Sequence, residues 1–206
     1  MTPASDIAFT PTVKVLQEQR GSRAGYARME ERGGFRTVIS EDLAQFLATV
    51  DTAYLATANA AGQPYAQHRG GPRGFIRMVG AHTLAFADFT GNKQFISTGN
   101  LAENDKAFLF LMDYAHRRRI KIWGRARVVT DDAALIESLM PGDYRARAEQ
   151  AILFDVAAWD INCPQHIPQK IDAKDVAEAV ARLEGRIADL ETENAALKAT
   201  IERNRA

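Results

Sequence analysis

The chain has 206 residues, of which 46% are hydrophobic and 25% charged, which is typical of a globular protein with one full core and an appendage. Its 26 basic residues balance 26 acidic residues, so bulk charge gives no indication of a nucleic-acid or membrane-surface partner. A single cysteine excludes an intrachain disulfide and suits a reducing compartment. The start lacks a secretory signal, and no apolar run approaches the roughly 18 residues that span a bilayer, so we predict a soluble, cytoplasmic protein.

Residues 1–36 are mixed in character and punctuated by glycine, and we predict that they form a peripheral arm with one helix. Ser40 is a typical N-cap residue and predicts that a helix over 41–50 follows it. The apolar residues of this segment recur at helical spacing: Leu43, Phe46, Leu47 and Val50.

From residue 53 onward the period changes to that of strands. Strands over 53–58 and 63–69 are predicted to be joined by a turn at Asn59–Gly62, where Asn and Gly tolerate positive φ. Further strands are predicted at 75–79, 84–89, 106–113, 119–129 and 151–161, with a short helix over 131–140. Six or so strands with hairpin-sized connections and few helices predict a mainly β fold, an antiparallel barrel with peripheral helices.

The segment 119–129 alternates most clearly between two faces. One face carries the apolar or small residues Ile120, Ile122, Gly124, Ala126 and Val128. The other carries Arg119, Lys121, Trp123, Arg125 and Arg127.

A polar turn follows the strand at 84–89, with Thr90, Gly91, Asn92 and Lys93 leading into a predicted helical start. Free backbone N–H groups, an amide and an ammonium around one point are suited to binding a phosphate. The alternative is that Asn92 and Lys93 are solvated cap residues.

After Pro168 the composition changes to that of a long amphipathic helix, which we call the heptad helix. Its apolar residues step by four and three, with Val180, Ile187, Asn194 and Ile201 at positions a and Leu183, Leu190 and Leu197 at positions d; together they form the heptad seam. Arg186 and Glu193 at g would face Glu191 and Lys198 at e of a parallel partner. A coiled coil is therefore predicted, and a single amphipathic helix lying on its own domain is the alternative.

Three motifs, GQPYAQHRGG, FADFTGNKQFIS and RRRIKIWGRARVV, resemble the pyridoxamine 5′-phosphate oxidase-like family of FMN-binding split barrels. The resemblance covers about residues 40–165, and WDINCPQHIPQ is similar to the C-terminal segment of an uncharacterised subgroup. It implies a split β-barrel over 37–168, between an arm at 1–36 and the heptad helix at 169–206.

The resemblance also implies a homodimer that holds FMN in a groove between its subunits. Lys93 matches a phosphate-binding lysine, Asn92 and Ser97 would add neutral hydrogen bonds, and Arg69 is a second phosphate candidate. Gln67 and His68 would edge the ring, and Gly70 with Gly71 would admit it close to the backbone.

Other candidates for cofactor binding lie later in the chain. Arg119 falls where the family often carries a glutamine that reaches the cofactor, and Lys121 and Trp123 share its face. Either Arg119 or Lys121 is expected to be the cation that stabilises the negative charge of the reduced flavin ring. From the second subunit the resemblance implies Trp159, Asn162, Gln165 and His166.

Several of these residues have structural alternatives. Trp123 and Trp159 fit equally well as core or dimer-interface aromatics, and His68 as a satisfied strand residue. Cys163 and His166 supply only two ligands where zinc requires three or four, so no metal site is predicted.

The implied function is that of an FMN-dependent oxidoreductase, with a nicotinamide as a possible electron donor. The segment NCPQHIPQKI lacks the Arg and His pattern with which a true pyridoxamine 5′-phosphate oxidase grips its substrate, so another substrate is expected. The alternatives are a flavin- or haem-holding dimeric sensor or adaptor without turnover, and a partner-binding module with an empty groove.

Overall fold

A computed structural model describes residues 2–142, 144–161 and 164–205. Over this part of the chain there are six α-helices, seven strands and a short 3-10 turn at Ala4–Ile7. The strands are β1 (Thr52–Ala58), β2 (Pro64–Gly70), β3 (Arg77–Met78), β4 (Thr83–Phe89), β5 (Lys106–Asp113), β6 (Arg118–Val129) and β7 (Ala148–Ile161). The helices are α1 (Pro11–Gln19), α2 (Arg23–Glu31), α3 (Glu41–Thr49), α4 (Ile96–Glu103), α5 (Ala133–Leu139) and α6 (Ala173–Arg205).

The described strands form one antiparallel sheet in the order β2-β1-β5-β6-β7-β4-β3. Although β2 and β4 are far apart in this order, Arg69 on β2 forms an ion pair with Asp88 on β4. The sheet therefore curls until its two ends approach each other. This is the split barrel that the sequence predicts, with the β1–β2 hairpin turning at Asn59–Gly62, where Gly62 has a φ of 83°.

Helix α3 forms as predicted and closes part of the barrel core. The Ser40 hydroxyl accepts a hydrogen bond from the Leu43 N–H at 3.4 Å, and Leu43, Phe46 and Leu47 are buried. They belong to one apolar cluster with inward residues of the strands, among them Leu55 and Ile122, which are fully buried. Burying each such side chain contributes about 1.5–3 kcal/mol.

Strand β6 shows the two faces that its sequence predicts, because Ile120, Ile122 and Ala126 are buried whereas Arg125 and Arg127 are exposed. The pairing of β6 with β7 shifts register between Trp123 and Gly124. A side chain at Gly124 would place its Cβ 2.1 Å from the carbonyl oxygen of Asp155, so this close approach of the two strands requires glycine.

Residues 1–36 differ from the predicted arm with one helix, because they contain α1 and α2. The helices are joined by polar contacts around Glu30, which pairs with both Lys14 and Arg23. Hydrogen bonds from Arg23 and then Lys14 lower the pKa of Glu30, outweighing partial burial.

The chain divides into two compact units, Met1–Asp113 with Arg117–His166, and Tyr114–His116 with Ile167–Ala206. The first holds the arm and the barrel together. In the second, the Lys170 N–H donates to the Tyr114 carbonyl at 3.3 Å, and α6 follows with no buried residue. Among the described residues, none of the helices has both the length and the apolar character required to cross a bilayer.

Candidate functional site

A polar cleft of about 50 Å³ lies where β2, the turn after β4 and the start of α4 come together. Five of the predicted phosphate and ring residues line this one cleft: Gln67, Arg69, Asn92, Lys93 and Ser97. The fold brings them together because Arg69 and Gln67 point from β2 toward β4 and α4. We call this site the polar cleft.

A hydrogen-bond network fixes the floor of the polar cleft. Gln67 Oε1 accepts from Ser97 Oγ at 2.8 Å and from Arg69 Nη2 at 3.0 Å, and Arg69 Nη1 pairs with Asp88. The other oxygen of Asp88 accepts from Gln150 Nε2 at 2.8 Å. Arg69 Nε is buried and has no hydrogen-bond partner among the described residues, so the floor carries one unused donor.

The turn between β4 and α4 departs from the prediction that Lys93 stands at a helix start. Helix α4 begins at Ile96, and its N-cap residue Phe95 has a left-handed backbone with a φ of 53° and makes no capping bond through its side chain. Lys93 is also left-handed, with a φ of 58°. The Asn92 side-chain oxygen accepts from the Gln94 N–H at 3.2 Å. Two non-glycine residues with positive φ in one short turn are uncommon, and such strain clusters at functional sites.

The ionic groups of the polar cleft balance in number. Arg69 and Lys93 are its cations, and Asp88 and Glu149 are its carboxylates. Because Asp88 is engaged by Arg69, Lys93 is the cation that forms no ion pair within the described ranges. Lys93 is also exposed, so it is free to meet an incoming anion, whereas Glu149 would oppose one.

His68 faces away from the polar cleft, because neighbouring residues of a strand point to opposite sides. It begins a row across the outer face of the barrel that runs from His68 through Tyr54, Phe110 and Lys121 to Asp160. The rings of Tyr54 and His68 meet edge to face at 5.7 Å, and Lys121 Nζ lies 3.2 Å from Asp160 Oδ2. The side chains of Gln67 and His68 therefore lie on opposite faces of β2.

Trp123 is half-buried, and the arm packs against its ring. Phe35 stacks on Trp123 with ring centroids 5.1 Å apart and planes 12° apart. Lys121 Nζ lies 5.2 Å from the Trp123 ring centroid and 5.7 Å from that of Phe35. Lys121 is thus held by the Asp160 carboxylate and by two rings of its own chain.

Trp159 is a core residue and not a cofactor contact. It is fully buried, and its indole N–H donates to the Val38 carbonyl at 2.8 Å. A side chain with no exposed surface cannot reach a ligand, so this prediction is wrong. Gln165 and His166 are exposed, and Asn162 lies outside the described residues.

Arg119 and Gly70 complete the predicted set. Arg119 is half-buried beside the outer-face row, opposite Met112, and its Nε is buried without a partner among the described residues. At Gly70 a side chain would meet the imidazole of His68 at 2.9 Å.

A sequence profile described as pyridoxamine 5′-phosphate oxidase matches residues 39–165, more than half of the chain. The chain belongs to the pyridoxamine 5′-phosphate oxidase family. The matched range begins just before α3 and ends four residues after β7, so it contains the barrel and the polar cleft. A comparison with curated proteins gives no match.

Solved structures similar to this family member come from several bacteria. HupZ of Group A Streptococcus is 17% identical, with 65% of this chain and 99% of that chain covered and a TM-score of 0.49. An FMN-binding protein of Syntrophomonas wolfei is 11% identical, with 71% and 97% covered and a TM-score of 0.47. A protein related to general stress protein 26 from Clostridium acetobutylicum is 12% identical, with 64% and 92% covered and a TM-score of 0.44.

The sequence did not reveal two residues that support the polar cleft or the residue that covers Trp123. Asp88 and Gln150 complete the network under Arg69, and Phe35 covers Trp123. Asp88 lies inside the motif FADFTGNKQFIS, but nothing local indicates that β4 meets β2. Only the closure of the barrel brings these residues together.

Proposed function

We propose that this protein is a homodimeric, FMN-binding oxidoreductase whose polar cleft holds the phosphate of the cofactor. The proposal rests on one observation: five residues predicted from sequence motifs line a single cleft. Among the described residues, the Arg69 Nε donor of this cleft has no hydrogen-bond partner and the Lys93 ammonium forms no ion pair. Membership of the pyridoxamine 5′-phosphate oxidase family supports flavin as the ligand.

The chemistry of the cleft fits a phosphate. Lys93 would contribute charge, Arg69 Nε and the Asn92 amide would donate hydrogen bonds, and Gln67 would be oriented by Ser97. Charge-assisted hydrogen bonds to phosphate oxygens are among the stronger polar contacts in proteins. Asp88 would act indirectly, since it fixes the guanidinium of Arg69.

The outer-face row supports a second part of the proposal, that the flavin ring binds on that side of β2 between two copies of the chain. Half-buried aromatic side chains there, including Tyr54, Phe108 and Phe110, suit a partner surface and a flat ring. Arg119 is the cation that we assign to the ring, because Lys121 is held by Asp160.

Bound FMN would supply hydride transfer, and the residues of the chain would bind and orient it and exclude water. The substrate differs from pyridoxamine 5′-phosphate under this proposal, since the segment after β7 carries only His166 where the oxidase uses Arg and His together.

The first test is the state of the purified protein. A yellow protein that releases FMN on heating and bleaches with NADH or NADPH supports the oxidoreductase. A yellow protein inert to both donors, and to other reductants in a screen, would make it a flavin-holding sensor. A colourless protein that does not take up FMN would contradict the proposal.

The phosphate assignment is tested by titrating FMN into Lys93→Ala. Loss of a charge-assisted contact is expected to weaken binding by about 1–3 kcal/mol. Lys106→Ala is the matched control, because Lys106 is exposed on β5 and does not line the polar cleft. Glu149→Gln removes the opposing carboxylate and should change affinity in the other direction. Equal affinity in Lys93→Ala and the control would remove Lys93 from the site.

A further inference from the structure

Helix α6 presents its apolar residues to solvent along its whole length. It has 33 residues, none buried, and the six apolar residues of the heptad seam are between 39% and 65% exposed. Helices in proteins obtain most of their stability by packing an apolar face against something else. We therefore expect the heptad seam to pack against a partner.

The spacing of the seam identifies a helix as that occupant. Its members repeat every seven residues from Val180 to Ile201, a period of 3.5 that keeps one narrow stripe facing a supercoiled partner. A helix lying on a globular surface shows a wider stripe with a period of 3.6. Positions next to the seam are small or charged, as at Arg186 and Glu193.

We propose that α6 forms a parallel, two-stranded coiled coil with α6 of a second copy of this chain. Asn194, at position a, fixes the direction. In a parallel pair it faces Asn194 of the partner, and the two amides can hydrogen-bond. In an antiparallel pair position a faces position d, so the amide would face an aliphatic side chain and lose its partner.

The charges beside the seam agree with the parallel direction. Arg186 would face Glu191 of the second copy, and Glu193 would face Lys198, each pair occurring twice by symmetry. Residues five apart do not face each other within one helix, so these pairs serve only an interhelical contact. The antiparallel register that aligns the two seams would keep one attractive pair, Arg186 with Glu193, but would place Glu184 against Glu191.

Disulfide trapping in the full-length chain tests the proposal, with Cys163→Ser as background. Leu197→Cys, at position d, is expected to cross-link almost completely in a glutathione redox buffer. Ala195→Cys, at the outward position b two residues away, is the matched control and should remain reduced. Ile201→Cys provides a second seam position and should behave as Leu197→Cys does.

Each alternative predicts a different result. Equal cross-linking of the seam and control variants, or of neither, overturns the proposal. A disulfide that forms only when Val180→Cys and Leu197→Cys chains are mixed indicates the antiparallel register and also overturns it. These outcomes do not depend on FMN, so they are separate from the test of the polar cleft.

Charge reversal sharpens the register. Glu193→Lys in the Leu197→Cys chain should lower the effective concentration of the paired thiols about three- to tenfold, because it makes two repulsive pairs with Lys198. Adding Lys198→Glu should restore it. Absence of rescue would contradict the parallel pairing of these positions.

Discussion

The barrel and α6 use the same apolar residue types with opposite results. Leu55 and Leu109 alternate with half-buried neighbours on β1 and β5, and both are fully buried in the apolar cluster of their own chain. Leu183 and Leu197 repeat at heptad spacing and are 65% and 55% exposed. The comparison teaches that a period of two directs side chains into a core made by the chain itself, whereas the period of 3.5 leaves them exposed on α6, where we propose that a second helix covers them.

The largest effect that would test this contrast is expected from Gly124→Ala in the barrel. Its Cβ would lie 2.1 Å from the Asp155 carbonyl and 2.5 Å from the Phe154 ring, so β6 and β7 would have to separate. We expect a loss of about 3 kcal/mol or more in the free energy of unfolding, measured with urea. A loss below about 1 kcal/mol would show that β6 and β7 can separate at the register shift at little cost.

A glycine-to-alanine substitution in α6 should change stability in the opposite direction. A Cβ at Gly185 meets no atom within 4 Å, and position f lies outside the heptad seam. Gly185→Ala should stabilise the helix by about 0.5–1 kcal/mol, measured from the thermal loss of its circular dichroism signal. Destabilisation would mean that this face is covered and that the seam is wrongly assigned.

The smallest effect is expected from ending the chain after Lys170. The apolar cluster of the barrel contains no residue of α6, so the unfolding midpoint and the FMN content per chain should remain nearly unchanged. Urea titration and flavin absorbance of the truncated protein check this expectation. An unfolded product would show that barrel and helix are one cooperative unit.

Periodicity in the sequence was sufficient to predict the barrel. Every predicted strand is present, although the strand predicted at 75–79 is reduced to Arg77–Met78, and the two faces of β6 are as expected. The arm was predicted less well, although a signal for α1 exists, since Thr10 precedes Pro11 and its hydroxyl accepts from the Val13 N–H at 3.3 Å. The break between α1 and α2 at Gly21, with a φ of 76°, was a second signal.

The site could be predicted only in part, because its remaining features are set by distant contacts. Sequence motifs predict Lys93 and Arg69 as phosphate-binding residues. The left-handed backbone at Lys93 and Phe95 could not be predicted, because neither residue type favours that conformation. The partners of Arg69 and Trp123, Asp88 and Phe35, come from other elements of the closed barrel. Local patterns cannot contain that information.

The stacking of Phe35 on Trp123 gives the molecule two separate fluorescent reporters. The chain has two tryptophans, one against the arm and one, Trp159, sealed in the barrel. Release of the arm up to Phe35 would expose the first indole to water, whereas the second, which packs in the barrel core and under Arg36, would keep its surroundings. The emission spectrum can thus distinguish detachment of the N-terminal segment from global melting without any added label.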